Sequence, residues 1–171
     1  MLLALDTSTN YASIALVEER KLLAELSWDC GRGHSRELFQ KVRWLLASRN
    51  ITASALTAVA VATGPGSFNG VRVALATAKS LSFALQLPLY STPTLDVIGW
   101  GAANSAPLHF SDANVAGIVW ALLEGGRGQL YAAQYPGVSA RDEIWGPLDS
   151  YHVLAATELA ERHSPTGLEA G

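Results

Sequence analysis

Two short stretches carry residues whose types and spacing could do chemistry. Asp6-Thr7-Ser8 sets a carboxylate and two hydroxyls at the end of the apolar run Leu2-Leu3-Ala4-Leu5. A carboxylate at a strand end can hold a metal-bound water, and hydroxyls with turn amides can hold a phosphate. The same residues, with Thr9 and Asn10, are also ordinary hairpin-turn chemistry. No further glycine or basic residue strengthens the turn, so the turn reading is preferred to tight nucleotide binding by this chain alone. The second stretch is Gly64-Pro65-Gly66-Ser67-Phe68-Asn69-Gly70, between an apolar strand-like run and a long helix-like run. Here Gly64, Gly66, Ser67 and Gly70 could aim backbone N–H groups at an anion at a helix N-terminus. The alternative is that glycine, lacking Cβ, lets the helix approach the sheet closely; the two roles can coexist. The string is neither a Walker loop, since no Gly-Lys-Ser/Thr follows, nor the dinucleotide fingerprint, since its third glycine falls one residue late.

Other chemistry is missing from the sequence. His34, His109, His152 and His163 show no metal-ligand spacing, and neither His-Glu-x-x-His nor Gly-x-Ser-x-Gly occurs. No catalytic residue and no metal ligand is therefore expected. His34 reads as a loop histidine at a helix entry rather than a contact at a partner or nucleotide edge. The single cysteine, Cys30, cannot form an internal disulfide, which fits a reducing compartment, and it reads as a small buried residue rather than a reactive thiol.

Composition bounds the rest. The 171 residues are 49% hydrophobic and 16% charged, which is enough to bury a core. A net charge of −3 with no basic tract argues against a stand-alone nucleic-acid binder. No stretch reads as a signal peptide or a membrane span, so a cytoplasmic protein is expected.

The elements that must position these residues follow from periodicity. Residues 2–5, 11–17 and 21–28 read as three strands joined by tight turns, an antiparallel meander. A helix is expected over 35–49, a strand over 59–63, a helix over 71–87 closed by Pro88, a short strand over 89–91 and a further helix from Thr94. This β-β-β-α-β-α-β-α order predicts an α/β protein of ribonuclease H-like lobes, the unit of sugar kinases, actin and chaperone ATPases, with mixed sheets flanked by helices. A first lobe over 1–103, a linker over 104–114 and an incomplete second lobe over 115–171 are expected. In the second, strands over 115–123 and 129–135, a third over 141–145 and a helix over 155–162 repeat the pattern.

The helices suggest a partner. Over 35–49, Leu38, Phe39, Val42, Leu45 and Leu46 form one apolar stripe, and Trp44 lies off it, where an aromatic suits an interface. Over 71–87, Val71, Leu75, Ala78, Ser82 and Leu85 are expected on the sheet. A second face, Val73, Ala76, Thr77, Ser80 and Ala84, consists of small residues that admit close helix–helix approach. A partner is expected to cover it, the neighbouring helix being the alternative.

The residues so far resemble the TsaB (YeaZ) family. The resemblance rests on Leu3-Ala4-Leu5-Asp6-Thr7-Ser8-Thr9, His34-Ser35, the string from Gly64 to Arg72, Gln86-Leu87-Pro88-Leu89 and Arg127-Gly128-Gln129-Leu130-Tyr131. It implies a non-catalytic subunit of the machinery that adds threonylcarbamoyl to adenosine 37 of tRNA. The implied partners are the catalytic paralogue TsaD, the ATPase TsaE through the complex, and a second copy when alone, with tRNA contacted only indirectly and no membrane. No tightly bound cofactor is implied; ATP or ADP with Mg at a partner interface is the one such a fold could accept. Where TsaD carries a His-x-x-x-His metal pair, this sequence has Thr94 and Ile98, which cannot replace two imidazoles. Asn69 stands where Thr is usual, and Glu124-Gly125-Gly126-Arg127 where Asp-Ala-Arg-Arg is usual; family members also continue further. The rival readings are a small ATP-binding kinase or ATPase of the same fold, with Asp96 or Asp112 as base, and a metal-dependent peptidase.

Overall fold

Alternation in Leu2–Asp6 (β1) sends Leu3 and Leu5 to one face of a sheet, where both are buried. Tyr11–Glu18 (β2) pairs with it antiparallel and sets Ile14 opposite Leu5 and Leu16 opposite Leu3. Lys21–Asp29 (β3) adds antiparallel to β2, completing the meander. Ala58–Ala62 (β4) then pairs parallel to the other side of β1, with Val59 beside Leu3 and Val61 beside Leu5, and Leu89–Thr92 (β5) adds parallel to β4. The order is β3-β2-β1-β4-β5, so the first strand of the chain ends at the sheet's centre. The fold is the mixed α/β arrangement expected from the element order. The computed structural model describes residues 1–30, 34–105, 118–136 and 146–162.

The apolar face is covered by His34–Ser48 (α1) and Phe68–Leu85 (α2). From α1, Leu38, Val42, Leu45 and Leu46 enter the core, but Phe39 does not; it is 51% exposed, because the neighbouring position on a helix turns away by about 100°. On α2 the buried positions are Gly70, Ala74 and Ala78, spaced by four. The expected stripe of Val71, Leu75, Ser82 and Leu85 is only half-buried beside it. The correction has a steric cause. Side chains no larger than methyl let the helix lie close on the sheet, and the larger residues pack down its sides.

The chain divides by contact density into Met1–Thr94 and Leu95–Gly171. Thr94–Ser105 (α3), placed with the first lobe by the sequence reading, gives Leu95 to a second core with Ala121, Ala133 and Tyr135. That core lies on Ile118–Gly126 (β6) and Gln129–Pro136 (β7), an antiparallel hairpin, and His152–Ala155 (β8) adds antiparallel to β7. Ala156–Arg162 (α4) follows. β8 lies where no strand was expected; the strand expected over 141–145 and most of the expected linker lie outside the described residues, as do His109, Asp112 and His163. No described helix is long and apolar enough to cross a membrane.

Candidate functional site

The two stretches singled out in the sequence meet in space. The turn after β1 and the loop between β4 and α2 pack backbone to backbone. Ser67 donates its N–H to the Ser8 carbonyl at 2.6 Å, and Thr7 donates its hydroxyl to the Gly70 carbonyl at 2.6 Å. A Cβ on Gly66 would lie 2.2 Å from the Ser8 oxygen, and one on Gly70 would lie 1.9 Å from the Thr7 oxygen. Those distances are far inside contact, so glycine is dictated by the approach of the neighbouring turn. Ser67 caps α2, its hydroxyl accepting from the Gly70 N–H at 3.3 Å.

Several polar groups of this junction pair with one another. The Asp6 carboxylate accepts from both the N–H and the hydroxyl of Ser8, at 2.8 and 2.6 Å. Thr7 and Ser8 are buried. The Ser67 and Gly70 amides already have acceptors within the junction, the Ser8 carbonyl and the Ser67 hydroxyl, so these two are not open to a phosphate. No cluster of His, Cys, Asp or Glu among the described residues could hold a metal ion. Cys30 is buried and directs its thiol at the Asn10 carbonyl, 3.0 Å away, and burial pushes its pKa up, away from thiolate.

The helical layer is different, because its outer side is open. Phe39 of α1, Ala53, and Ala76, Thr77, Ser80, Leu81, Ala84 and Leu85 of α2 line a groove of about 460 Å³. Four of the expected partner residues, Ala76, Thr77, Ser80 and Ala84, are brought together there. Val73 is not; it packs against the first core. Trp44 is 59% exposed but lies on the other side of α1, lining a separate recess of about 340 Å³ with Leu26, Gln40 and Lys41. Sequence reasoning missed Phe39, which its period placed in the core. It also missed Phe68 and Phe83, 73% and 80% exposed on α2, although large aromatics on a helix otherwise built of small residues were a readable signal.

In the second unit Asp96, the base a kinase reading would need, is held by two phenols. Tyr135 and Tyr151 donate to the same carboxylate oxygen at 2.7 and 2.8 Å. Burial, then the bond to Asp96, pushes Tyr151 up to about 12 and Tyr135 in the same direction.

Comparisons with known proteins agree with this fold. Residues 28–150 match the family model described as TsaD, tRNA N6-adenosine threonylcarbamoyltransferase. The tRNA threonylcarbamoyladenosine biosynthesis protein TsaB of Escherichia coli is 30% identical over 163 residues, covering 94% of this chain and 65% of that protein. Its namesake in Bacillus subtilis is 32% identical over 134 residues, covering 78% and 54%. The chain belongs to the TsaB (YeaZ) family. The solved YeaZ structure from Pseudomonas aeruginosa superposes with a TM-score of 0.75 at 30% identity, over 90% of this chain and 66% of that one. This TsaB-family chain thus spans between about half and two-thirds of the length of these three relatives. Within it, Thr94 and Ile98 stand one helical turn apart on α3. Thr94 is buried, and Ile98 packs on the second core.

Proposed function

We propose that the chain is a non-catalytic subunit in the formation of N6-threonylcarbamoyladenosine at position 37 of tRNA. In this reading it docks the transferase TsaD through the α1–α2 layer and holds it in its active arrangement by mass action. The groove lined by Ala76, Thr77, Ser80 and Ala84 carries the proposal. Small residues on an exposed helix admit another helix at close range, and apolar surface left open on a well-packed lobe suits a partner. An interface of ordinary size would cover roughly 1,600 Å² in total. TsaE joins through the complex, tRNA is contacted by the transferase, and the work is done in the cytoplasm.

The absence of catalysis in this chain is part of the proposal. One oxygen of Asp6 is engaged within its own turn, one oxygen of Asp96 accepts from two tyrosines, and Thr94 and Ile98 stand in place of a histidine pair. A metallopeptidase would need the imidazoles.

Reconstitution tests the reading. Purified TsaD and TsaE, tRNA and a threonylcarbamoyl donor are assayed for modified adenosine with and without the chain. Formation that depends on the chain, with no ATP hydrolysis by the chain alone, is the expected result. Unchanged product on omitting it, or ATP turnover by the chain in isolation, would sink the proposal.

A further inference from the structure

β3 lies at the end of the five-stranded sheet, so one of its edges has no strand beside it. The register says which residues face that edge. Tyr11 lies opposite Asp29, which sets Asn10 opposite Cys30, and the Cys30 N–H donates to the Asn10 carbonyl at 2.9 Å. Opposite pairs in an antiparallel ladder alternate between bonded and unbonded. Ala12–Trp28 and Ile14–Leu26 are therefore bonded pairs, and Ser27 and Glu25 turn their N–H and C=O groups away from β2, toward the bare side. Both residues are exposed. Nearer the β2–β3 turn, the Arg49 guanidinium donates to the Leu23 carbonyl and closes the edge there. The open stretch is thus short, running from Ala24 to Trp28.

A recess flanks this stretch on the helical side. Leu26, Gln40, Lys41 and Trp44 line it, with a volume of about 340 Å³. It holds a cation and no anion. The Lys41 ammonium lies 5.5 Å from the centre of the Trp28 ring. No carboxylate among the described residues stands within ion-pair distance of it, not even Glu37 one turn back on α1. The buried Trp28 indole N–H has no acceptor among the described residues. The opposite face of β3 is acidic there, with the Ser27 hydroxyl donating to the Glu25 carboxylate at 3.3 Å.

We infer that the β3 edge and this recess form a docking site for an extended segment of another protein, which adds as a sixth strand and turns a carboxylate toward Lys41. Outward N–H and C=O groups along an edge are matched by another extended backbone, and alternate side chains of that backbone then fall on opposite faces. On the recess side the segment presents an acid flanked by aliphatic residues. On the other side it presents cations or hydroxyls to Glu25. A second copy of β3 does not meet this pattern. Its recess-side residues, Ala24, Leu26 and Trp28, hold no carboxylate, and pairing about Glu25 would set two like charges opposite each other. The site stands apart from the α1–α2 groove, since Trp44 lies on the other side of α1, and its test does not involve the transferase.

The probe is the acetylated, amidated peptide Lys-Val-Thr-Glu-Thr-Val-Lys, with Val and Glu on one side and Lys and Thr on the other. Fluorescence anisotropy of the labelled peptide with the full chain is expected to show saturable binding. Amide hydrogen exchange at Glu25 and Ser27 should slow on saturation. N-methylation of one alternate set of peptide amides should abolish binding, while methylation of the other set leaves it. Lys41→Glu should weaken binding by about tenfold, and a peptide with Lys in place of its Glu should recover it. Ser27→Pro removes an outward N–H, leaves the ladder to β2 whole, and should abolish binding. Circular dichroism checks that it folds; if it does not, Lys41→Glu with the swapped peptide decides. Absence of saturable binding, binding indifferent to which amides are methylated, or unchanged exchange at Glu25 and Ser27 would overturn the inference. So would a wild-type dimer in sedimentation that Ser27→Pro dissociates and Lys41→Glu leaves intact, because the edge would then belong to a second copy.

Discussion

The hydroxyl of Thr7 donates to the carbonyl of Gly70 at 2.6 Å, joining positions 63 residues apart across a fully buried contact. It ties the end of the central strand to the first turn of α2. The Ser67–Ser8 bond lies beside it, so the junction is fixed at two points.

Replacing Thr7 by Val keeps the volume and removes the donor. The expected cost is about 1–2 kcal/mol of unfolding free energy, because a buried carbonyl loses a partner while keeping its helical one. Urea denaturation followed by circular dichroism measures it, and an unchanged midpoint would mean that the bond contributes nothing.

Gly70→Ala should be far worse. Its Cβ would fall 1.9 Å from the Thr7 oxygen, and neither backbone can yield without breaking the sheet or the helix start. A loss of about 3 kcal/mol or more is expected, with Gly66→Ala in the same direction. A Gly70→Ala protein that melts with wild type would show that the two loops do not meet this way.

Ala84→Trp fills the groove without altering charge. Because Ala84 is exposed, stability should stay within about 0.5 kcal/mol of wild type, while TsaD binding should fall by about tenfold or more. Calorimetric titration decides it: undiminished affinity places the docking face elsewhere.

Tyr135 and Tyr151 should ionise late. A phenol whose folded pKa lies above its unfolded value near 10 contributes stability that is fully present below pH 10 and lost as pH rises through the folded pKa. For Tyr151 that loss is centred near 12. Absorbance at 295 nm should therefore show two tyrosines titrating well above pH 10, with the second unit opening as they do. Asp96→Asn should bring both steps to lower pH. Five tyrosines ionising together near pH 10 would contradict the shared carboxylate.

Cys30 should react slowly with a thiol reagent at pH 8 in the native protein and at once in urea, since it is 5% exposed and its thiol is directed at a carbonyl. Rapid native labelling would mean that the turn around Asn10 opens freely.

The strands of the first unit were legible because their periods are plain: Leu3 and Leu5, Ile14 and Leu16, Val59 and Val61 alternate with smaller residues and meet in register. The buried side of α2 was not. A stripe of Gly70, Ala74 and Ala78 has no hydrophobic contrast with its neighbours; what buries it is the sheet beneath Ala74 and Ala78 and, at Gly70, a turn sixty residues earlier. Phe39 misled because it lies within one step of a true core position. Asp6 read as a candidate ligand by type; only the position of Ser8 shows that one of its oxygens already accepts two hydrogen bonds. β8 escaped because four residues, His152-Val153-Leu154-Ala155, give too short a period to read.

The central place of β1 has a consequence for synthesis. A chain emerging from the ribosome makes the β1–β2–β3 meander first, yet β1 keeps one edge bare until β4, more than fifty residues on, pairs with it. During that interval Leu3, Leu5, Ile14 and Leu16 have only α1 to shelter them, and α2 cannot seat until Gly70 reaches the Thr7 carbonyl. The nascent lobe therefore passes through a stage with an unpaired strand and an uncovered apolar face, the features that invite aggregation and chaperone capture.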